Sequence, residues 1–186
     1  DLSFLYGVIF TGPASDPAHH SRNVCVFADG EVDRCPTGTG VSARAAIHHA
    51  RSELALGDWI TIESITGSRF AVRALETTSF GPHAAVIPEV RGSNNDDTLI
   101  GNSLDNIFNP RRGNDTIGGA GGFDLVRYDR NGVTALEVDL EAGTAIGTWD
   151  GQAFSDELSN IEYIRGSRVG NDSIVGSTGG NRLRTF

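Results

Sequence analysis

The densest chemistry in the sequence lies at Asp33-Arg34-Cys35-Pro36-Thr37-Gly38-Thr39-Gly40. A glycine-rich turn that enters a helix presents unpaired backbone N–H groups at the positive end of the helix dipole. Such a turn attracts a carboxylate or phosphate. Thr37 and Thr39 are placed to cap that helix or to touch a bound anion. A plain capped helix accounts for the same pattern. Cys35 is the tempting nucleophile, two positions before Thr37. Two extended residues displace a side chain by roughly 6–7 Å, whereas catalytic geometry tolerates about 1 Å, so the two do not exchange roles. Cys25 and Cys35 are the only cysteines. Their spacing permits a disulfide, but a free buried thiol in a reducing compartment is the expectation. His19-His20 and His48-His49 come with no matching Cys or carboxylate set for zinc.

A second concentration of chemistry is periodic. A nine-residue unit starts at Gly92 and recurs at Gly101, Pro110 and Gly119 (GSNNDDTLI, GNSLDNIFN, PRRGNDTIG, GAGGFDLVR). Position six reads Asp97, Asn106, Asp115 and Asp124; position eight reads Leu99, Phe108, Ile117 and Val126. Two more units start at Ser167 and Gly176, with Asp172 and Asn181 at position six. Asp offers the hard oxygen ligands that calcium prefers. Glycines allow the positive φ of a tight turn. Several of those glycines are replaced, and Pro110-Arg111-Arg112 brings positive charge near the supposed cation sites.

The elements that must position these residues change character near residue 92. All five His precede it, and 16 of the 24 Gly lie at or after it. Residues 1–91 read as α/β. Strands are expected at Leu2 to Phe10, Asn23 to Ala28, Trp59 to Ile65, Ser68 to Thr77 and His83 to Val90, with turns at Gly12-Pro13 and Asp16-Pro17. Ala43, Ala46, Ile47, Ala50 and Leu54 recur at three and four, predicting the buried face of a helix that ends at Gly57. Between the two blocks of repeats, Leu136, Val138 and Leu140 alternate as in a strand, with turns at Asn131-Gly132 and Asp150-Gly151. The expected division is 1–91, repeats over 92–127, a β-strand insert over 128–166 and repeats again over 167–186.

The stretch NVCVFADGEVDRCPTGTGVSARAAIHHAR closely resembles the second catalytic segment of the proline racemase family, as do FLYGVIF, IESITGSRF and AAVIPEVRG around it. The likeness implies one lobe of a diaminopimelate-epimerase-like fold, a mixed sheet around a central helix. Racemases and hydroxyproline epimerases of that family have Cys at the position of Thr37. The Thr points to trans-3-hydroxy-L-proline dehydratases, which form 1-pyrroline-2-carboxylate without pyridoxal phosphate or another organic cofactor. By resemblance Asp33 holds the substrate ammonium, and the N–H groups of Gly38 and Thr39 hold its carboxylate. Thr37, the catalytic position, contacts the ring or its hydroxyl, and Phe27 walls the ring. The family's acid/base Cys lies on another lobe, in a Cys-Gly-His-Gly type segment absent here, so inactivity of this chain alone is expected. The nonapeptides resemble RTX, or hemolysin-type, calcium-binding repeats. That likeness implies an all-β parallel β-roll or solenoid, with calcium at Asp97, Asn106, Asp115, Asp124 and Asp172. Two units make one coil, so Asp97 should face Asp115 and Asn106 should face Asp124.

Composition bounds the partners. Net charge is -9, which disfavours nucleic acid or anionic lipid, and no apolar run reaches the roughly 20 residues of a membrane span. The chain has no Met, and Asp1 opens on a strand-like run, so it is expected to begin inside a longer polypeptide; the expected partner is a missing second lobe or a longer parent chain. Three readings stand: a partial dehydratase lobe joined to a calcium-binding tract, a non-enzymatic secreted or surface calcium-binding protein, and an accidental fusion. The enzyme reading places the chain in the cytoplasm; the repeat reading places it outside the cell.

Overall fold

The computed structural model describes residues 7–27, 30–33, 36–101 and 103–186. The first part of the expected opening strand, Ala28 at the end of the next, and Cys35 lie outside these. The chain is a mixed α/β structure, mostly strands, with one helix among the described residues. No helix among the described residues is long and apolar enough to cross a membrane.

β1 (Gly7–Gly12) and β2 (Ser21–Phe27) form an antiparallel pair, and β2 continues in parallel to β3 (Ile60–Glu63). β4 (Arg69–Phe80) and β5 (His83–Arg91) form a long hairpin on β3. The expected strands are present, although β4 runs three residues past Thr77. Cys25 is buried as a free thiol.

The helix departs from expectation. α1 spans Gly38–Ala50, and its buried residues are Gly38, Gly40, Val41, Ser42 and Ala45. Of the predicted face, Ala43, Ile47 and Ala50 are exposed. Leu54 is buried, but in the loop after the helix, and Gly57 turns that loop at φ 88°. The reason is physical. Alanines stand on both sides of this helix and carry little apolar contrast, so they do not fix its rotation. Packing against β4 and β5 covers Val41 and Ala45 instead.

The repeats build short strands at a strict spacing of nine: β6 (Thr98–Ile100), β7 (Ile107–Asn109), β8 (Thr116–Gly118) and β9 (Leu125–Arg127). Alternate units pair in parallel, with Leu99 opposite Ile117 and Phe108 opposite Val126. Position eight of these four units is buried. β5 enters the same register, Val90 opposite Phe108, so the last strand of the hairpin is also a rung of the repeats.

β10 (Val133–Asp139), β11 (Thr144–Trp149) and β12 (Gln152–Ser159) form an antiparallel meander. At the bulge near Ala135 (φ 53°) the chain gains a residue, so Val133, Leu136 and Val138 all face the core. At Asp150-Gly151 both residues have positive φ, the geometry of a two-residue hairpin turn. β13 (Tyr163–Arg165), β14 (Ser173–Val175) and β15 (Arg182–Arg184) complete two sheets. Their orders are β1-β2-β3-β4-β5-β7-β9-β13-β15 and β14-β10-β11-β12-β8-β6. One contiguous core runs from Val41 and Phe70 through Leu99, Phe108 and Ile117 to Ile164.

Phe108 sits in that core beside the shared rung and is 1% exposed. Phe108→Ala is expected to cost about 3–5 kcal/mol in urea unfolding, whereas Leu183→Ala in the partly exposed terminal strand β15 should cost about 0.5 kcal/mol. Equal effects of the two would mean that hairpin and repeats do not share a core.

Candidate functional site

The loop between β2 and α1 is pinned from below. Asn23 is fully buried on β2; its amide donates to the Pro36 carbonyl (3.1 Å), and its oxygen accepts from Arg44 Nη1 (2.7 Å). The Asp33 N–H donates to the Cys25 carbonyl (3.0 Å). These bonds deliver Asp33 and Thr37 together: Thr37 Oγ1 donates to Asp33 Oδ2 at 2.7 Å. Thr37 is the residue before the first helical turn, and its carbonyl accepts the Val41 N–H. Its hydroxyl does not cap the helix, contrary to one expectation, because it is turned to Asp33. Its φ of 66° with ψ of 103° is a conformation that a β-branched residue rarely adopts.

No acid stands in the first turn of α1, which leaves that end of the dipole uncompensated by the helix itself. Thr39 has a different commitment. Its hydroxyl donates to the Ile100 carbonyl (3.0 Å) on β6. Gly38 meets the same strand: a Cβ there would lie 2.8 Å from the Ile100 nitrogen. Only glycine fits, for a packing reason distinct from the anion-binding role expected of it. Phe27 ends β2, half-buried, in register with Gly7. Asp33, Thr37, Gly38 and Thr39 thus gather at one helix end. A threonine hydroxyl paired to a carboxylate suits holding an ammonium or hydroxyl group. It has nothing comparable to a thiolate for removing a proton from carbon.

The position-six residues form two hydrogen-bonded ladders. The Asp97 N–H donates to Asp115 Oδ1 (2.9 Å), and the Asp115 N–H to Asp156 Oδ1 (3.0 Å). The Tyr128 hydroxyl donates to Asp156 Oδ2 (2.8 Å). On the other edge the Asn106 N–H donates to Asp124 Oδ1 (2.7 Å), and the Asp124 N–H to Glu162 Oε2 (2.9 Å). Asp172 stands apart and accepts from the Ser167 hydroxyl. Asp156 and Glu162 were missed in the sequence. Their signal is the same acid-x-apolar spacing (Asp156 to Leu158, Glu162 to Ile164), interrupted by the hairpin that breaks the count of nine.

Burial raises these carboxyls: Asp97 to about 6, Asp124 and Asp156 to about 7, and Asp115 to about 9, where the neighbouring Asp156 adds to burial. Asp115 Oδ2 and Asp124 Oδ2 are buried with no hydrogen-bond partner. Each calls for a proton or a cation.

Comparison with protein families matches proline racemase over residues 1–103. The chain belongs to the proline racemase family. A trans-3-hydroxy-L-proline dehydratase of Colwellia psychrerythraea is 60% identical over 92 residues, covering 50% of this chain and 26% of that protein. A 3-hydroxyproline 2-epimerase of Burkholderia multivorans is 46% identical over 93 residues, covering 50% and 28%. A solved hydroxyproline epimerase of Agrobacterium vitis, with bound trans-4-hydroxy-L-proline, is 38% identical; it covers 45% of this chain and 23% of that one, with a TM-score of 0.42. The chain spans about a quarter of the length of these relatives. The proline racemase match reaches residue 103, beyond the boundary expected at Arg91. β6 therefore lies inside it, and so does the contact between Thr39 and Ile100.

Two outcomes follow. Gly38→Ala is expected to destabilise by about 1–3 kcal/mol through overpacking against β6; an unchanged denaturation midpoint would contradict the close approach. The second concerns pH. The raised carboxyls lie above the unfolded value near 3.8, so their contribution to stability is complete below about pH 4 and is lost as pH rises through roughly 6 to 9. In chelator, the thermal midpoint should fall from mildly acidic to alkaline pH. Asp115→Asn, which keeps an acceptor for the Asp97 N–H, should flatten that fall; an identical slope in the variant would refute it.

Proposed function

We propose that residues 1–103 carry the substrate-holding half of a trans-3-hydroxy-L-proline dehydratase site. The observation that carries this reading is Thr37 bonded to Asp33 at the start of α1, at the position where racemases of the family have Cys. The reaction removes the Cα proton and the C3 hydroxyl, giving an enamine that tautomerises to 1-pyrroline-2-carboxylate. Asp33 takes the ammonium of the substrate. The N–H groups of Gly38 and Thr39 take its carboxylate, favoured by the helix dipole. Thr37 contacts the ring hydroxyl, and Phe27 walls the ring. Because the Thr39 hydroxyl is held by β6, only its backbone serves the substrate. Proton removal needs a stronger base than this half offers, a Cys from a second lobe.

The purified chain should bind trans-3-hydroxy-L-proline weakly and not turn it over. Proton NMR of the substrate reads turnover, and amide shifts at Gly38 and Thr39 read binding. Asp33→Asn should abolish those shifts. Turnover by this chain alone would overturn the need for a second lobe. No amide shift at tens of millimolar ligand would remove the half-site.

A second reading concerns the tract from Gly92. We propose that it is a parallel β-roll that takes calcium through Asp97, Asn106, Asp115, Asp124 and Asp172. The unmet buried oxygens of Asp115 and Asp124 support it, as hard donors in need of a cation. Among the described residues no three His, Cys, Asp or Glu side chains converge, so backbone carbonyls would complete any shell. Calcium would supply the charge that lets these carboxyls ionise in place. Millimolar calcium should raise the thermal midpoint more at pH 8.5 than at pH 5.5, since the ligands must be deprotonated. A midpoint indifferent to calcium at both pH values would sink this reading.

A further inference from the structure

Two sets of arginines stand out among the fifteen of this chain. Arg22, Arg73, Arg112, Arg127 and Arg130 each meet a carboxylate: Glu63, Glu89, Asp150, Asp129 and Glu89 respectively. Arg69, Arg91 and Arg111 meet none among the described residues, yet all three line one open cavity of about 460 Å³. The cavity lies where the β3–β4 turn, the end of β5 and the first repeat turn come together. His19, Thr61, Ser68, Ser93, Asn94 and Asn95 supply the rest of its polar wall.

The acids nearby are already engaged. Glu63 accepts the Ser15 and Asp16 N–H groups, His19 and Arg22. Glu89 is held by Arg73 and Arg130, and Asp97 accepts both the N–H and the hydroxyl of Ser93. Arg91 is fixed in place by Trp59, its guanidinium carbon 4.3 Å from the ring centre. Its Nε is buried with no hydrogen-bond partner. Burial disfavours its charge most; Glu89 offsets part of that, while Arg111 and Arg73 add positive charge around it. A half-buried guanidinium held on a ring, with its Nε unbonded and two more guanidinium groups in the same cavity wall, leaves positive charge only partly balanced. It matches an oxyanion, which guanidinium groups bind in bidentate fashion.

We infer that this cavity is an anion site for a phosphate group, free or as a small monoester. A monocarboxylate would balance only one of the three charges; phosphate carries up to two at neutral pH and offers oxygens to all three forks. The volume, within the range of small-molecule sites, exceeds what bare phosphate fills and leaves room for an ester. The site is separate from the Thr37 cluster and does not rest on the dehydratase or calcium readings.

The test is calorimetric titration of the full chain with inorganic phosphate and, separately, glycerol phosphate. Ionic strength is held constant, and chelator is present so that phosphate cannot act by sequestering calcium. Saturable binding is expected, tighter for the ester if the extra volume is used. Arg69→Gln and Arg111→Gln should each weaken it about tenfold, the loss of one charge-assisted contact. Arg184→Gln, far along the chain, should leave it unchanged. Both variants keep Arg91 on Trp59, and circular dichroism checks their fold; if Arg111→Gln does not fold, the exposed Arg69 decides alone. The inference is overturned by no saturable binding of either probe, by binding that survives loss of Arg69, or by a preference for citrate over both phosphates.

Discussion

The rest of the structure depends on one strand being paired on both edges. β5 is antiparallel to β4 on one side and parallel to β7 on the other. A strand has a side-chain period of two, so a slip of one residue on either edge would turn Val90 out of the core. Val90 lies nine residues before Leu99 and eighteen before Phe108, in phase with position eight of the first four units. That phase lets the hairpin close one end of the repeat stack, covering an edge that would otherwise be open. It also seats β6 against α1, and with it the backbone that Gly38 and Thr39 touch.

The molecule buries acids in two ways. Glu63 is surrounded by donors, two backbone N–H groups first, and its carboxyl is held down to about 2. Asp115 receives one N–H, keeps one oxygen unmet, and is pushed up to about 9. Both are nearly inaccessible to water, so depth alone does not separate them: donors surround Glu63, whereas burial and the neighbouring Asp156 carboxyl act on Asp115. The first arrangement is complete in itself. The second leaves a need that the local chain does not meet.

Much of this was legible in the residues. The period of nine marks every repeat strand from β6 to β9, and the apolar eighth position marks the side that faces the core. Asp150-Gly151 marks the hairpin turn, and the PTGTG run marks the helix entry. What was not legible has definable causes. The helix phase was lost because its alanines look alike on both faces. The extension of the ladders to Asp156 and Glu162 was hidden by a meander that adds residues between rungs while keeping the stacking. The double use of β5 was hidden because Glu89-Val90-Arg91 reads equally well as the close of a hairpin. The site beside it was unreadable from spacing, since Arg69, Arg91 and Arg111 converge only once the sheet has formed.

The stack also has a direction. At one end β5, α1 and the hairpin cover it; at the other, among the described residues, β15 has a neighbour on one side only, and Val175 and Leu183 are 52% and 40% exposed. A stack held by nearest-neighbour contacts opens from its less covered end. Amide exchange should therefore be graded along the axis, fastest at β15 and slowest near β7. The first rungs would then keep their shape, and hold the helix entry in place, while the last ones open and close.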